Sequence, residues 1–457
     1  MQAATVTGED CLTLNVQRPA GTTPSSKLPV LFWIYGGGFE LGSTQMYDGT
    51  GIVTKSIALG EPILFVAVNY RVGGFGFLAG KELQADGSTN LGLRDQRKGL
   101  EWVAENVAAF GGDPSKVTIW GESAGSISVL DQLIINGGNN KYKGKPLFRG
   151  GMMDSGSIVP ALDVANAKPQ GVYDAVVAAA GCSGSSDTLS CLRGLSYETF
   201  LNAVNSVPGL FSYSSIDLAY LPRPDPANNF FAQSPDQAVS NGKYTKVPII
   251  IGDQEDEGTL FSLVQSNLTT NDQVIDYFAS YFPTAPREDV ANYVNTYPDN
   301  ASAGSPFNTS IANELYPQFK RLAAILGDAT FTLARRGYLA TVSSTVPSWS
   351  YLSSYFYGTP ILGTFHGSDL LVLYDNPGTL ILPTPTNDIY TYYVSFVNSL
   401  TPNSAITTSA GVQTWPQYNT NSLELMNFRA LNSTIIQDNF RETSYQTLRK
   451  YTDVFRV

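Results

Sequence analysis

One serine and one histidine carry the clearest chemical signal in this chain of 457 residues. Ser123 is the centre of the pentapeptide GESAG at residues 121–125, which fits the pattern G-x-S-x-G, and His366 is the chain's single histidine. A serine hydroxyl becomes a good nucleophile when a base removes its proton and a third group orients that base. A lone histidine is more often an ordinary core residue, so the surroundings must decide. Together the two residues predict acyl transfer through a serine nucleophile.

The residues around Ser123 indicate a strand, a sharp turn and a helix. The run KVTIW precedes the pentapeptide, and the apolar stretch SISVLDQLII follows it. This order is typical of a nucleophile elbow, which raises the serine above the carboxyl end of a strand. At so tight a turn, side chains at Gly121 and Gly125 would collide with the neighbouring backbone. The bare pattern is weak evidence, and this context makes it strong.

The acid that orients the base should lie between Ser123 and His366, because nucleophile elbows occur with the chain order serine, acid, histidine. The stretch IIIGDQEDEGTLF places Glu255, Asp256 and Glu257 on a loop after a predicted buried strand. An acidic cluster on a loop is usually just a solvated turn. Here the three acids follow the right kind of strand in the right order, and their positions alone do not choose among them.

A glycine run supplies the fourth part of this constellation. The sequence Tyr-Gly-Gly-Gly-Phe at residues 35–39 follows a predicted strand. Acyl transfer places negative charge on the carbonyl oxygen, and fixed N–H groups stabilise that charge. Glycines let the backbone approach a substrate closely, although a glycine run alone is more often a flexible turn. The expected oxyanion donors are the N–H groups of Gly37, Gly38 and Ala124.

The elements that must position these residues follow an α/β pattern. The runs LPVLFWIYGGG and PILFVAVNYR are continuously apolar, as in strands buried on both faces, while NLGLRDQRKGLEWVAENVAAFGG has helical spacing. Strands that alternate with helices predict a mostly parallel sheet flanked by helices. The alternation of strand-like and helical stretches stops at residues 156–246 and again at 261–348. These two stretches are predicted to be mostly helical insertions above the sheet. We interpret residues 1–457 as a single domain.

Composition excludes several classes of function. The net charge is −11 and the sequence has no basic run, which argues against nucleic-acid binding. The sequence has no stretch of about 18 uninterrupted apolar residues that could span a membrane. One histidine and three cysteines cannot build a typical zinc site, and we expect no metal or cofactor. We also predict no obligate protein partner.

Six long stretches between Glu9 and the C-terminal region match a known pattern: EDCLTLNV, FWIYGGGFELGS, VAVNYRVGGFGFLAG, NLGLRDQRKGLEWVAENVAAFGGDPSKVTIWGESAGS, GDQEDEGTLF and GTFHGSD. They resemble the type-B carboxylesterase/lipase family, which includes the cholinesterases. The resemblance is strongest to secreted fungal lipases of the Candida rugosa and Geotrichum type. It implies an α/β-hydrolase fold and a hydrolase of carboxylic esters, from short acyl esters to triglycerides or sterol esters.

The resemblance also implies roles for particular residues. It selects Glu257 as the acid of a triad with Ser123 and His366, and it suggests that Leu260 and Phe261 line an acyl pocket. It implies extracellular localisation and contact with a small-molecule or lipid ester, with possible contact to a lipid interface. Sequons that would fit a secreted glycoprotein occur at Asn267, Asn300, Asn308 and Asn432.

Two structural pairs follow from the resemblance as well. It pairs Cys182 with Cys191 in a disulfide, and it implies an ion pair between Arg71 and Asp95. Relatives carry a signal peptide and a lid segment before a stretch like EDCL, and that segment would hold the partner of Cys11. We therefore expect a permanently open site without interfacial activation, a preference for short soluble esters, and exposed apolar surface that favours aggregation.

Three alternatives stay open at this point. The chain could be a non-catalytic, esterase-like binding module, although such proteins typically lose a triad member and Ser123, Glu257 and His366 are all present. It could be a peptidase or a sterol or feruloyl esterase on the same fold, since a fold does not decide the substrate. It could also be a shortened chain that does not fold.

Overall fold

A mixed sheet forms the centre of the fold in the computed structural model, which describes residues 7–374, 385–404 and 412–457. The strands in these residues are β1 (Leu14–Gln17), β2 (Leu28–Ile34), β3 (Leu64–Val68), β4 (Gly112–Glu122), β5 (Lys141–Tyr142), β6 (Lys145–Pro146), β7 (Gly150–Asp154), β8 (Ile249–Gln254), β9 (Ser348–Ser353), β10 (Glu424–Phe428) and β11 (Thr434–Gln437). Nine of these strands pair in the order β1-β3-β2-β4-β7-β8-β9-β10-β11, and β5 pairs separately with β6. The sheet is parallel from β3 to β10 and antiparallel at both edges.

Helices connect these strands and form two insertions. In the described residues they are α1 (Thr50–Ala58), α2 (Gly73–Phe77), α3 (Lys81–Asp86), α4 (Leu91–Asn106), α5 (Ala124–Gly138), α6 (Ala167–Ala179), α7 (Thr188–Arg193), α8 (Tyr197–Val204), α9 (Pro235–Ser240), α10 (Asn271–Tyr281), α11 (Arg287–Val294), α12 (Phe319–Gly327), α13 (Leu333–Val342), α14 (Ser368–Leu373), α15 (Pro385–Ser399) and α16 (Glu442–Tyr451). A short π-helix, Asp328–Thr332, joins α12 to α13. No helix of the described residues is long and apolar enough to cross a membrane.

The continuous apolar runs form the middle of the sheet, as the sequence predicts. Strand β2 lies between β3 and β4, with Val30 opposite Leu64 on one side and opposite Val117 on the other. All three side chains are buried. A strand with neighbours on both edges and helices on both faces has no exposed side, so an uninterrupted apolar run is what it requires.

The parallel arrangement brings distant parts of the chain to one edge of the sheet. Ser123 follows β4, the acids at residues 255–257 follow β8, and the segment that carries His366 follows β9. Parallel strands have their carboxyl ends at the same edge, and ligands of open α/β sheets bind there. The topology therefore explains how residues separated by more than a hundred positions share one site.

The two insertions contain most of the remaining helices. Helices α6 to α9 lie within residues 156–246, and α10 to α13 lie within residues 261–348. Residues 205–234 form a long loop with no helix or strand, and they include four prolines, at positions 208, 222, 224 and 226. Proline lacks the backbone N–H that a helix interior needs, which explains the loop. The second insertion has its own apolar cluster, which includes Phe278 and Ile325.

Two pairs that the family resemblance implies are present in the structure. Cys182 and Cys191 form a disulfide with a Cα–Cα distance of 5.9 Å, and Cys11 is free. Arg71, which follows β3, donates to both carboxylate oxygens of Asp95 in α4 at 2.7 Å. Both predictions are confirmed. The ion pair ties α4 to the loop after β3, on the same side of the sheet as the glycine run.

Candidate active site

Ser123 stands at a strained turn between β4 and α5. Its backbone has φ +57° and ψ −125°, a conformation that residues other than glycine rarely adopt. Its N–H donates to the carbonyl of Asp154 at 2.9 Å, and its own carbonyl accepts the first hydrogen bond of α5. Strain of this kind persists where the surrounding structure holds the residue firmly, and it often marks a functional site.

The flanking glycines allow α5 to approach the sheet. A Cβ atom on Gly121 would lie 2.4 Å from the backbone of Gly125, and one on Gly125 would lie 2.0 Å from the carbonyl oxygen of Ile34 in β2. Neither contact is possible without moving the backbone. The steric reason inferred from the sequence for both glycines is therefore confirmed, together with the strand, turn and helix around Ser123.

Glu257 and His366 form a buried hydrogen-bonded pair. The imidazole Nδ1 of His366 lies 2.5 Å from Oε2 of Glu257, and the backbone N–H of Gln254 donates to Oε1 of the same carboxylate at 2.7 Å. The exposed fractions of the two residues are 7% for His366 and 1% for Glu257. The rings of Phe261 and Phe331 pack against the imidazole, with centroid distances of 5.0 and 4.7 Å. The imidazole is therefore held in place from several sides.

The two other candidate acids have different surroundings. Asp256 accepts hydrogen bonds from the hydroxyl of Ser305 and from the backbone N–H groups of Phe307 and Thr364, at 2.8 to 2.9 Å. Its carboxylate therefore links the segment at residues 305–307 to the segment at residue 364 through hydrogen bonds. Burial, and to a smaller extent the adjacent Asp256, raise the pKa of Glu255 to about 7. Of the three acids, Glu257 is the one that meets His366.

The other imidazole nitrogen faces a residue that the sequence analysis did not single out. Nε2 of His366 lies 3.4 Å from Oε1 of Glu122, and neither atom has a hydrogen-bond partner among the described residues. Burial raises the pKa of the Glu122 carboxyl well above its usual range, and neighbouring carboxylates raise it further. A charged residue inside the pentapeptide GESAG, directly after a buried strand, was the signal that could have pointed to Glu122.

Ser123 and His366 are not hydrogen-bonded to each other in this structure. Catalytic hydrogen bonds are often long or poorly aligned before substrate binds. Gly36 is the first glycine of the glycine run, and the sequence analysis gave it no separate role, although it packs against Ser123. A Cβ atom on Gly36 would lie 2.6 Å from the carbonyl oxygen of Glu122 and 2.8 Å from Cβ of Ser123. The absent side chain is what lets the glycine run approach Ser123.

The expected oxyanion residues lie close to Ser123, although not all of them border the same cavity. Gly37 and Gly38 have φ of +106° and +62°, and a Cβ atom on Gly37 would lie 2.3 Å from the carbonyl oxygen of Leu41. Gly38 and Ala124 border one cavity with Ser123, whereas Gly37 is not part of its wall as the structure describes it. Ala124 is the first residue of α5, where backbone N–H groups are free to bind an anion.

The cavity that opens at Ser123 has a volume of about 470 Å³ and a mainly apolar wall. This size is within the range of pockets that bind small organic ligands. Phe261 and Phe331 border it, while Leu260 is half-buried and lies outside the described wall. Within the part of the chain that the structure describes, no group of three or more histidine, cysteine or acidic side chains is arranged to hold a metal ion.

Comparisons with known proteins agree with this geometry. Residues 1–448 match the carboxylesterase family. Secreted lipase 1 of Botryotinia fuckeliana is 61% identical over 443 residues, which cover 96% of this chain and 76% of that protein. A secreted triacylglycerol lipase of Gibberella zeae is 56% identical over 447 residues, which cover 96% of this chain and 74% of that protein.

Solved structures agree as well. EstA of Aspergillus niger superposes with a TM-score of 0.81 at 27% identity, over 98% of this chain and 85% of that one. The mostly parallel sheet, the flanking helices and the resemblance to secreted fungal lipases are thereby confirmed. The chain belongs to the carboxylesterase family and is a carboxylic ester hydrolase.

Proposed function

We propose that this protein hydrolyses carboxylic esters through a triad of Ser123, His366 and Glu257 and an acyl-enzyme intermediate. The hydrogen bond of 2.5 Å between His366 Nδ1 and Glu257 Oε2 carries the proposal. Because Nδ1 is engaged, Nε2 is the imidazole nitrogen that can accept a proton. His366 also lies at the same edge of the sheet as Ser123, whose backbone is strained. A nucleophile, a base and an orienting acid in this relation are recognised by geometry and not by sequence position.

The first half of the reaction forms the acyl-enzyme. His366 takes the proton of the Ser123 hydroxyl as the oxygen attacks the ester carbonyl, and Glu257 stabilises the imidazolium that forms. The N–H groups of Gly37, Gly38 and Ala124 hold the negative oxygen. The imidazolium then returns its proton to the departing alcohol. In the second half water attacks the acyl group in the same way and releases the carboxylic acid.

Glu122 lies beside the imidazole nitrogen that this proposal assigns as the base. A charged carboxylate 3.4 Å from Nε2 would favour the imidazolium and make His366 a poor base at rest. Burial and the neighbouring carboxylates raise the pKa of Glu122, which disfavours the charged form of this carboxyl.

The cavity beside Ser123 supports esters with apolar acyl groups as substrates. Its lining is mainly apolar, and a relative that is 56% identical is named as a triacylglycerol lipase. We propose acylglycerols or related lipid esters as the natural substrate class, and an extracellular location because both named relatives are called secreted. The chain acts as a single domain in this proposal. Contact with a lipid interface and a preference for short soluble esters stay predictions.

Hydrolysis of p-nitrophenyl butyrate tests the proposed nucleophile. The change Ser123→Ala should lower kcat by about 10⁶-fold, the size of effect seen when a triad serine is removed. Ser128→Ala is the matched control, because Ser128 lies on the same helix and its buried hydroxyl accepts a hydrogen bond from Gln96 instead. Equal activity in the two variants would contradict the role of Ser123. A chain that melts cooperatively without any activity would favour a binding role.

A further inference from the structure

Glu40 places a half-buried carboxylate in the turn that follows the glycine run. Burial raises the pKa of this carboxyl to about 6, because the charged form is poorly solvated there. Its Oε2 atom accepts the backbone N–H of Leu210 at 2.8 Å, whereas Oε1 is buried without a hydrogen-bond partner among the described residues. A buried carboxylate is unfavourable unless a contact offsets its burial. The N–H of Leu210 is that contact.

Leu210 belongs to the long loop at residues 205–234, which has no helix or strand. The later part of this loop is bonded to the second insertion, for example through the Ser215 hydroxyl, which donates to the carbonyl of Phe261 at 2.8 Å. The earlier part, residues 207–212, has far fewer contacts of this kind. Within the described residues, the bond from Leu210 to Glu40 is the only hydrogen bond that joins this part to a segment outside the loop.

Gly209 supports the same contact independently. Its φ is not positive, so its backbone conformation does not require glycine. A Cβ atom placed on Gly209 would lie 3.0 Å from Oε2 of Glu40, and its other neighbour within 4 Å would be the carboxyl carbon of the same side chain. The missing side chain at this position therefore lets the carboxylate approach the N–H of Leu210.

The side chain of Leu210 lies directly against Gly38, one of the expected oxyanion donors. A Cβ atom on Gly38 would lie 2.9 Å from one methyl carbon of Leu210 and 3.2 Å from the other. Both residues border the cavity that opens at Ser123, and Leu210 is only 9% exposed. Leu210 thus fills space beside Gly38 that water would otherwise occupy. N–H donors stabilise a negative oxygen more strongly where water is excluded.

The backbone of Glu40 acts on the same turn. Its N–H and that of Leu41 both donate to the carbonyl of Gly37 at 3.1 Å. The carbonyl and the N–H of a trans peptide point in opposite directions, so fixing the carbonyl of Gly37 also fixes the direction of the Gly38 N–H. Glu40 therefore acts on Gly38 twice, through its own backbone and through Leu210.

We propose that Glu40 is a positioning residue for ester hydrolysis, whose carboxylate holds Leu210 against Gly38 and so keeps water from the oxyanion beside Ser123. The proposal rests on the proposed function, because it requires an oxyanion at Ser123. Glu40 acts on the transition state and not on the binding of the ester. Its removal should therefore change kcat more than KM.

The change Glu40→Ala tests this role with p-nitrophenyl butyrate. We expect kcat to fall about tenfold, less than the loss of about 10²-fold or more that removal of an oxyanion donor causes. KM should change less than about threefold. Glu40→Gln should keep kcat within about threefold of the original, because its amide oxygen also accepts an N–H.

Glu314→Ala is the matched control for Glu40→Ala. Glu314 is also a half-buried glutamate that accepts a backbone N–H, from Lys320 at 3.1 Å, but it lies outside the described wall of the cavity. Its removal should leave kcat unchanged. An unchanged kcat in Glu40→Ala would overturn the proposal, and so would a Glu40→Gln variant as slow as Glu40→Ala.

A double-mutant cycle with Gly209 separates positioning from a general loss of structure. Gly209→Ala places a methyl group against the Glu40 carboxylate, so kcat should fall several-fold while Glu40 is present. In the Glu40→Ala background the carboxylate is absent, and kcat should not fall further. Additive losses would overturn the proposal. If Glu40→Ala does not fold, Gly209→Ala alone carries the test, and an unchanged kcat in that variant is then the contradicting result.

Hydrogen exchange separates this proposal from the proposed reaction. In Ser123→Ala, adding Glu40→Ala should speed amide exchange in the peptide that contains Leu210 by about tenfold or more, while exchange in α5 stays the same. Unchanged exchange would show that Glu40 does not hold the loop, and the proposal would be wrong. If the original chain shows no serine-dependent hydrolysis, the proposed function fails and the role in catalysis fails with it. Serine-dependent hydrolysis with an unchanged kcat in Glu40→Ala overturns the role of Glu40 alone.

Discussion

The two ends of the cavity use glycine for opposite reasons. At the sheet edge, a Cβ atom on Gly36 would lie 2.6 Å from the carbonyl oxygen of Glu122 and 2.8 Å from Ser123. In the wall that helix α13 contributes, a Cβ atom on Gly337 would meet nothing within 4 Å. The first glycine allows a close contact between protein groups, and the second preserves a space. One end of the cavity is therefore closely packed around Ser123, while the other leaves space beside α13.

The same contrast holds for polar groups. At the sheet edge, both oxygens of the Glu257 carboxylate have hydrogen-bond partners, and two phenyl rings pack against His366. Where α9, α13 and α16 border the cavity, exposed side chains such as Arg449 and Asp453 face solvent. Small displacements should therefore matter far more at the sheet edge than beside these helices.

The largest expected effect in this comparison belongs to Glu257→Gln. An amide cannot stabilise the imidazolium, and it can hold His366 in the wrong tautomer, so kcat for p-nitrophenyl butyrate should fall by about 10⁴-fold. Asp256→Asn is the matched control on the neighbouring residue, whose carboxylate bonds Ser305 and the backbone instead. That variant should lose stability more than rate. The reverse order of activities would show that the acid assignment is wrong.

A smaller effect is expected for Gly36→Ala at the same end of the cavity. The added methyl group must displace either the carbonyl of Glu122 or the side chain of Ser123. A displacement near 1 Å in a catalytic group lowers rates by about 10²-fold. We expect kcat for butyrate to fall by about that factor in a protein that still melts cooperatively. An activity within twofold of the original would mean that the glycine run approaches Ser123 less closely than the structure has it.

The sequence predicted one end of the cavity much better than the other. The elbow at Ser123 and its two glycines are readable locally, because strand, turn and helix follow each other within a short stretch. The choice of Glu257 over Asp256 depends on a loop about a hundred residues away and came from the family resemblance. Nothing local marks which of three adjacent acids faces that loop. The short strands β10 and β11 were missed, since neither has a long apolar run.

The space beside Gly337 could not be predicted at all. A glycine in a helical pattern shows that this position has no side chain. It does not show whether neighbouring residues occupy the space beside it. That depends on how α9 and α16, which lie about a hundred residues away on either side, pack against α13. Helix packing of this kind is a tertiary property, so a single sequence shows the glycine without showing the cavity.

The smallest expected effect completes the glycine comparison. Gly337→Ala makes the same change as Gly36→Ala, but in a helix whose added methyl group would meet nothing within 4 Å. Alanine favours helix over glycine by about 1 kcal/mol, so the free energy of unfolding in urea should rise by up to that amount. A methyl group fills little of a cavity of about 470 Å³, so the palmitate-to-butyrate ratio of kcat/KM for the p-nitrophenyl esters should change less than about threefold, under about 1 kcal/mol for one buried CH₂. If Gly337→Ala instead destabilises the protein, the space beside Gly337 is filled in solution. If Gly337→Ala raises the free energy of unfolding while Gly36→Ala lowers kcat, the two glycines have different roles. Gly36 then allows a close contact at Ser123, and Gly337 leaves a space that the fold does not need.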